Sequence, residues 1–421
     1  EAYLKSAEGG AGYSHLVLQL LSSPQYSSVH QIAAIHFKNL IRAGYGEEDG
    51  FIPEGDKAVL KDNLVTILTS CSEDAVRKQL GESISSIAAQ DYPVKWSGLL
   101  PSLVTHFSSP DPATLNNVLY VLASLLKRYT YTTRTDALLT SLQYTLGALQ
   151  TPFLSLLSSQ TQKLLTAPPA DPAALEALVT SLELLCSVYF SLNWLELPEY
   201  FEDEIARSMS LFQSLLAHSS PSLAPAGDDA DEGPVEKMKA RIIETLEVYA
   251  SKDEEPFQPY LQAFTTSIWE QLTTLPTKKP YDNLTTTCLS FLTSIVSKPA
   301  HAAMFGSAEV VTQIVSHIIL KNVRLREEDV EAYEDDPADY IVSDFEGSDT
   351  GSRRKCAIEL LKALNRSFSA VATPIVMERV TGMLAEYAKD KGQWIGKDAA
   401  LSMVTSISVI RESNLGGVTE V

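Results

Sequence analysis

An all-α array of stacked helix pairs is the fold this sequence predicts, and three observations predict it. Apolar residues recur at three- and four-residue steps along almost the whole chain. Alternation with a period of two, the mark of a strand, is almost absent. The helical stretches come in pairs, and pairs repeat at a spacing of roughly 40 to 50 residues. One pair cannot bury its own apolar stripe, so neighbours must stack into a superhelix. The prediction is a HEAT-type solenoid of about eight pairs.

The segment Asp56 to Ser70 shows the rule: Val59, Leu60, Leu64, Ile67 and Leu68 fall on one face. Its return helix carries Val76, Leu80, Ile84, Ile87 and Ala88 and must stop before Asp91-Tyr92-Pro93, because proline has no N–H and restrains the residue before it. The same reading gives pairs 13–22 with 29–43, 57–70 with 74–90, 98–108 with 113–129, and 136–158 with 174–193. Further on it gives 200–217 with 236–251, 256–275 with 282–297, 307–320 with 353–369, and 371–389 with 396–411. Pro110-Asp111-Pro112 and Ala167 to Asp171 punctuate the array, and Ser219 to Pro234 is an acidic loop. Trp96 and Trp394 are expected in the core between repeats.

At 421 residues the chain exceeds one hydrophobic core, and its apolar fraction of 45% supports packed structure. A formal charge of −20 argues against unaided binding to nucleic acid or anionic membrane and favours partners with basic surface. No membrane insertion is expected; the most apolar run, Val310 to Leu320, carries Thr312, Gln313 and His317. Cys71, Cys186, Cys288 and Cys356 lack zinc spacing and read as reduced, mostly buried thiols. The ends, Glu1-Ala2-Tyr3 and Gly416 to Val421, suggest a portion of something longer.

Catalytic motifs fail on inspection. No HExxH occurs, and Gly392-Gln393-Trp394-Ile395-Gly396-Lys397-Asp398 has three residues between its glycines where a phosphate loop needs four. Gly10 to His15 is not a nucleophile elbow. The expectation is a binding protein, with no enzymatic activity and no cofactor.

One stretch breaks the rhythm. Residues 326–354 hold eleven acids and only three arginines inside the seventh pair. Such a charge density builds no core; it attracts a basic patch with an effect that salt weakens. Tyr333, Tyr340, Ile341 and Phe345 are expected to pin the segment to the array. Gly347 and the tract Ser348 to Ser352 supply turn and cap residues before the helix from Arg353.

Two sets of residues resemble a known family. Ile32 to Arg42 (IAAIHFKNLIR), followed by Ile52-Pro53, Gln79 to Ala88, Asp91-Tyr92-Pro93 and Trp96, resembles the N-terminal module of the importin-beta (karyopherin) superfamily. Asn322 to Glu331, Tyr333 to Pro337, Asp339-Tyr340-Ile341, Asp344 to Asp349 and Arg353-Arg354 resemble its importin-alpha re-exporter (CAS exportin) branch. Pro198 to Asp203, Leu289 to Thr293 and Trp394 to Ala400 agree in order. Val342 and Ser343 depart from it, standing where that branch has two arginines.

The resemblance implies a nuclear export receptor that shuttles between nucleus and cytoplasm. Its implied partners are Ran in its GTP form, importin-alpha and FG-repeat proteins of the nuclear pore, and the chain would be the N-terminal arch. Residues 1–130 would be N-terminal-type HEAT repeats that bind Ran, 131–320 central repeats, 321–355 the acidic insertion, and 356–421 a further repeat with a polar tail. Lys38 and Arg42 lie four apart and share a face, with Asn39 beside them, while Phe37 and Leu40 pack inward. These three are the expected Ran contacts of the first repeats; alternatively, Asn39 bonds neighbouring repeats. In the insertion the expected Ran or cargo contacts are Glu327, Glu328, Asp329, Glu331, Glu334, Asp335, Asp336, Asp344, Glu346, Asp349, Arg353 and Arg354. The rival reading is a different karyopherin or another HEAT scaffold with a protein-binding role.

Overall fold

The computed structural model describes residues 8–46, 50–227, 230–252, 254–338, 340, 342 and 351–408, and among them no strand occurs. The expected insertion contacts Asp344, Glu346 and Asp349, with Ile341 and Phe345, lie outside the described residues. The chain divides into two compact units, Glu1–Leu211 and Phe212–Val421.

In the first unit the pairs are α1 (Tyr13–Ser22) with α2 (His30–Gly44), and α3 (Glu54–Thr69) with α4 (Asp74–Asp91). They continue with α5 (Leu99–Thr105) and α6 (Pro112–Leu126), then α7 (Asp136–Thr166) and α8 (Pro172–Asn193). Second helices pack side by side in the order α2, α4, α6, α8, and first helices form a parallel row. Phe37, Leu40, Leu80, Ile84, Val118, Leu122, Leu182 and Leu185 fill the seam, all almost fully buried. Each such side chain contributes about 1.5–3 kcal/mol through burial, so the seams dominate the stability of the row.

Local chemistry sets the helix ends. Asp111 accepts from the N–H of Ala113 and Thr114, Asp171 accepts from that of Ala174, and a proline follows each acid at the first helical position. Helix α7 runs through Pro152 to Thr166, eight residues past the expected 158, because no breaker occurs between 158 and Ala167-Pro168-Pro169. The expected helix 200–217 is instead α9 (Glu199–Asp203) and α10 (Ile205–Ala217), and the division between the units falls within α10. Helix α8 is long and apolar enough by composition to cross a membrane, a stronger candidate than Val310 to Leu320. Its Leu178, Val179, Leu182, Leu185, Tyr189 and Phe190 are buried within the unit.

The second unit pairs α11 (Pro234–Lys252) with α12 (Glu254–Thr274), and α12 leads into α13 (Asp282–Val296). After α14 (Ala302–Phe305) comes α15 (Ala308–Gln313), a π-helical turn over Ile314–Ile319, and α16 (Leu320–Val323). The acidic α17 (Glu327–Asp335) follows, then α18 (Arg353–Lys389) and α19 (Trp394–Ser408). Helices α11, α13 and α18 stack, and α19 packs on α18. The expected pair boundary near 370 is present without a loop: α18 is broken only at Phe368, whose φ of −137° and ψ of 39° are not helical. Trp96 is buried as expected, but Trp394 is 42% exposed, because it opens α19 at a surface turn rather than between repeats.

Candidate functional site

Two surfaces carry the residues expected to meet partners. On α2 a face with the spacing 32, 35, 39, 42 is presented outward, since Phe37, Leu40 and Ile41 are buried on the opposite side. Ile32 is 71% exposed and Ile35 40%, and Asn39 and Arg42 are exposed beside them. Glu82 on α4 reaches across the seam: its Oε2 lies 2.9 Å from Arg42 Nη2 and 3.4 Å from Lys38 Nζ. One carboxylate thus steadies both cations of the face without neutralising them. Asn39 makes no hydrogen bond to another described residue, so the repeat-bridging role weighed for it is not formed here.

That bridging role belongs to Asn117 on α6. It is 1% exposed, and its Nδ2 donates to the carbonyls of Leu68, Thr69 and Cys71 at 3.2, 3.3 and 2.8 Å. Its Oδ1 accepts from Arg77 Nη1 at 2.8 Å, and the Arg77 guanidinium lies over the Tyr120 ring. Tyr120 in turn sits where α4 comes closest: a Cβ on Gly81 would fall 2.8 Å from the ring, so only glycine permits this approach. At the end of α4, Asp91 accepts from Tyr45 Oη at 2.6 Å and Lys61 Nζ at 2.8 Å. Burial opposes its ionisation, but these hydrogen bonds outweigh burial and hold the carboxyl below the usual aspartate range. Burial pushes the neighbouring Tyr92 phenol up to about 12.

The second surface is the start of the acidic segment. Three acids, Glu327, Glu328 and Asp329, occupy the first turn of α17, where the helix dipole favours negative charge. Asp329 Oδ2 accepts from the N–H of Arg326 at 2.8 Å and closes the helix end. Glu327, Glu331, Glu334 and Asp335 recur at helical spacing and are exposed, as is Asp336 after the helix end.

Arg326 moors this helix. Its Nη1 donates to both carboxylate oxygens of Asp282, the first residue of α13, at 3.0 Å, and its Nε lies 3.4 Å from Asp329 and 3.5 Å from Glu328. Arg353, only 4% exposed, lies 3.7 Å from Asp329 and donates to the carbonyl of Arg324 at 3.2 Å. Arg354 pairs with Asp398 at 2.8 Å and donates to Ser402 Oγ at 2.6 Å. Both arginines expected among the partner contacts are therefore engaged inside the chain. Of the aromatic residues expected to pin the segment, Tyr333 and Tyr340 meet edge to face at 5.8 Å, and Tyr333 is exposed. Sequence reasoning missed Arg326 as the anchor; it is the first base at the head of the acid run, but Asp282 lies 44 residues away.

Comparison with known proteins follows this geometry. The Cse1 family matches residues 125–421, and the importin-beta N-terminal domain matches residues 1–70. Exportin-2 of Homo sapiens is 35% identical over the whole chain, and exportin-2 of Danio rerio 34%, each match covering 43% of the relative. The chain thus spans less than half the length of these relatives. A solved structure described as the exportin Cse1 in its cargo-free, cytoplasmic state superposes with a TM-score of 0.92 at 32% identity, over all of this chain and 46% of that one. Importin beta superposes at 0.64 with 13% identity, over 97% of this chain and 43% of that one, a likeness of fold.

Proposed function

Because the chain belongs to the Cse1 family, we propose that it forms part of a nuclear export receptor that binds Ran in its GTP form together with importin-alpha and returns importin-alpha to the cytoplasm. The observation that carries this reading is the match to exportin-2 along the entire chain. In this reading residues 1–130 hold the Ran-binding repeats, with Lys38, Asn39 and Arg42 as contacts on the exposed face of α2. Glu327, Glu331, Glu334, Asp335 and Asp336 attract basic surface on Ran or the cargo adaptor; Asp344, Glu346 and Asp349 extend the same charge. Asp329, Arg353 and Arg354 hold the segment in place. Glu328 shares both tasks. Binding steered by such a field is fast at low salt and weakens as ionic strength rises.

The test is binding of the chain to Ran loaded with GTP or GDP, with and without importin-alpha, at two salt concentrations. GTP-selective binding strengthened by importin-alpha is the expected outcome. A protein-binding HEAT scaffold of another kind would not distinguish the nucleotides, and that result would end the transport reading.

A further inference from the structure

At the base of the acidic helix lies a cleft of about 740 Å³, which shares Arg326, Glu327, Glu328 and Arg353 with the second surface and extends beyond it to Lys278, Ser316 and Lys321. It is walled by the π-helical turn, the run Lys321 to Glu328, Arg353, and the turn that opens α19 at Gly392 and Gln393. Five cations, Lys278, Lys321, Arg324, Arg326 and Arg353, line it against the two carboxylates of Glu327 and Glu328. Asp282 and Asp329 pair with Arg326 and Arg353 beside the cleft, and its lining itself carries more positive than negative groups.

Three buried polar atoms in its wall make no hydrogen bond: Arg353 Nε, Ser316 Oγ and Glu328 Oε2, the last facing Arg326 Nε at 3.5 Å. Orphaned atoms of this kind destabilise a fold and are retained where something else satisfies them. They come from three separate elements, and the Ser316 hydroxyl sits in a π-turn, a rarity that recurs at functional sites. Burial and the adjacent Arg326 lower the Arg353 pKa, and burial with Arg353 lowers that of Lys321, so the cations crowd one another.

The geometry points to a binding site for a multiply phosphorylated polyol, with Arg353 and Ser316 donating to one phosphate at the floor and Arg324 at the rim taking another. A single phosphate would leave most of the volume empty. Phosphate at Arg353 competes with Asp329 for that guanidinium, which links occupancy to the mooring of α17. The site shares Glu327, Glu328 and Arg353 with the surface proposed for transport, but ligand binding in the cleft needs no transport partner and is tested without one.

The test is titration calorimetry of the purified chain with inositol hexakisphosphate, with inorganic phosphate, and with vesicles carrying phosphatidylinositol bisphosphate. Saturable 1:1 binding of the hexakisphosphate, far tighter than phosphate, is expected, and the vesicle arm tells a soluble ligand from a lipid headgroup. Arg324→Glu, a change at an exposed side chain, should weaken binding about tenfold or more, and Ser316→Ala should weaken it several-fold. No binding in any arm, or binding that both variants leave unchanged, overturns the site.

Discussion

Asn117 shows how much one amide can hold. Its donations to three carbonyls, of Leu68 and Thr69 at the end of α3 and of Cys71 just beyond, and its acceptance from Arg77, tie two pairs through an almost fully buried residue. Asn117→Ala should cost about 2–3 kcal/mol in chemical denaturation, since carbonyls are left without a donor, whereas Asn39→Ala should leave stability unchanged. Asp91 makes a pH-dependent statement. Its folded pKa is depressed, so its contribution is fully present above the unfolded value near ~3.9 and is lost as pH falls through the folded pKa. The stability gap between the chain and its Asp91→Asn variant, about 2–3 kcal/mol at neutral pH, should therefore close below pH ~4 in a melting series. Residues of this kind are hard to read in a sequence: Asn39 and Asn117 occupy similar helical contexts, and only stacking decides which amide meets open carbonyls.

At the scale of elements, α17 is a charged helix held at one end. Arg326→Ala removes its link to α13 while leaving every exposed acid in place. Hydrogen exchange over 327–335 should rise sharply in that variant, with little change in α2 or α4. Reversing Glu334, Asp335 and Asp336 to lysine should leave exchange alone but weaken Ran affinity and flatten its salt dependence; an unchanged salt slope would remove α17 from the Ran surface. Most elements were legible because periodicity and proline placement are local: α1, α2, α4, α6 and α13 begin and end within two or three residues of expectation at breaks such as Pro93 and Pro112. The misses arose where local signals fell silent. Nothing in Ser158 to Thr166 stops a helix, and nothing near Glu204 announces the break between α9 and α10.

Within each unit, pairs pack on their neighbours in sequence, and ties such as His30 to Glu73, Arg42 to Glu82 and Arg354 to Asp398 span roughly one repeat. Damage should then stay local: Gly81→Ala, which drives a Cβ into the Tyr120 ring, should raise exchange in α4, α6 and their flanks while the second unit keeps its protection. The architecture was readable from repeat spacing, whereas the anchoring of the acidic segment was not, because Arg326 and Asp282 sit on different repeats. The break at Phe368 has a mechanical meaning. Pairs elsewhere are joined by several residues of turn that can take up slack, but between the seventh and eighth pairs the helix hardly pauses. A junction made of two torsions, the φ and ψ of Phe368, within an otherwise continuous helix is a stiff hinge, so flexing between those pairs should show as rotation at Phe368.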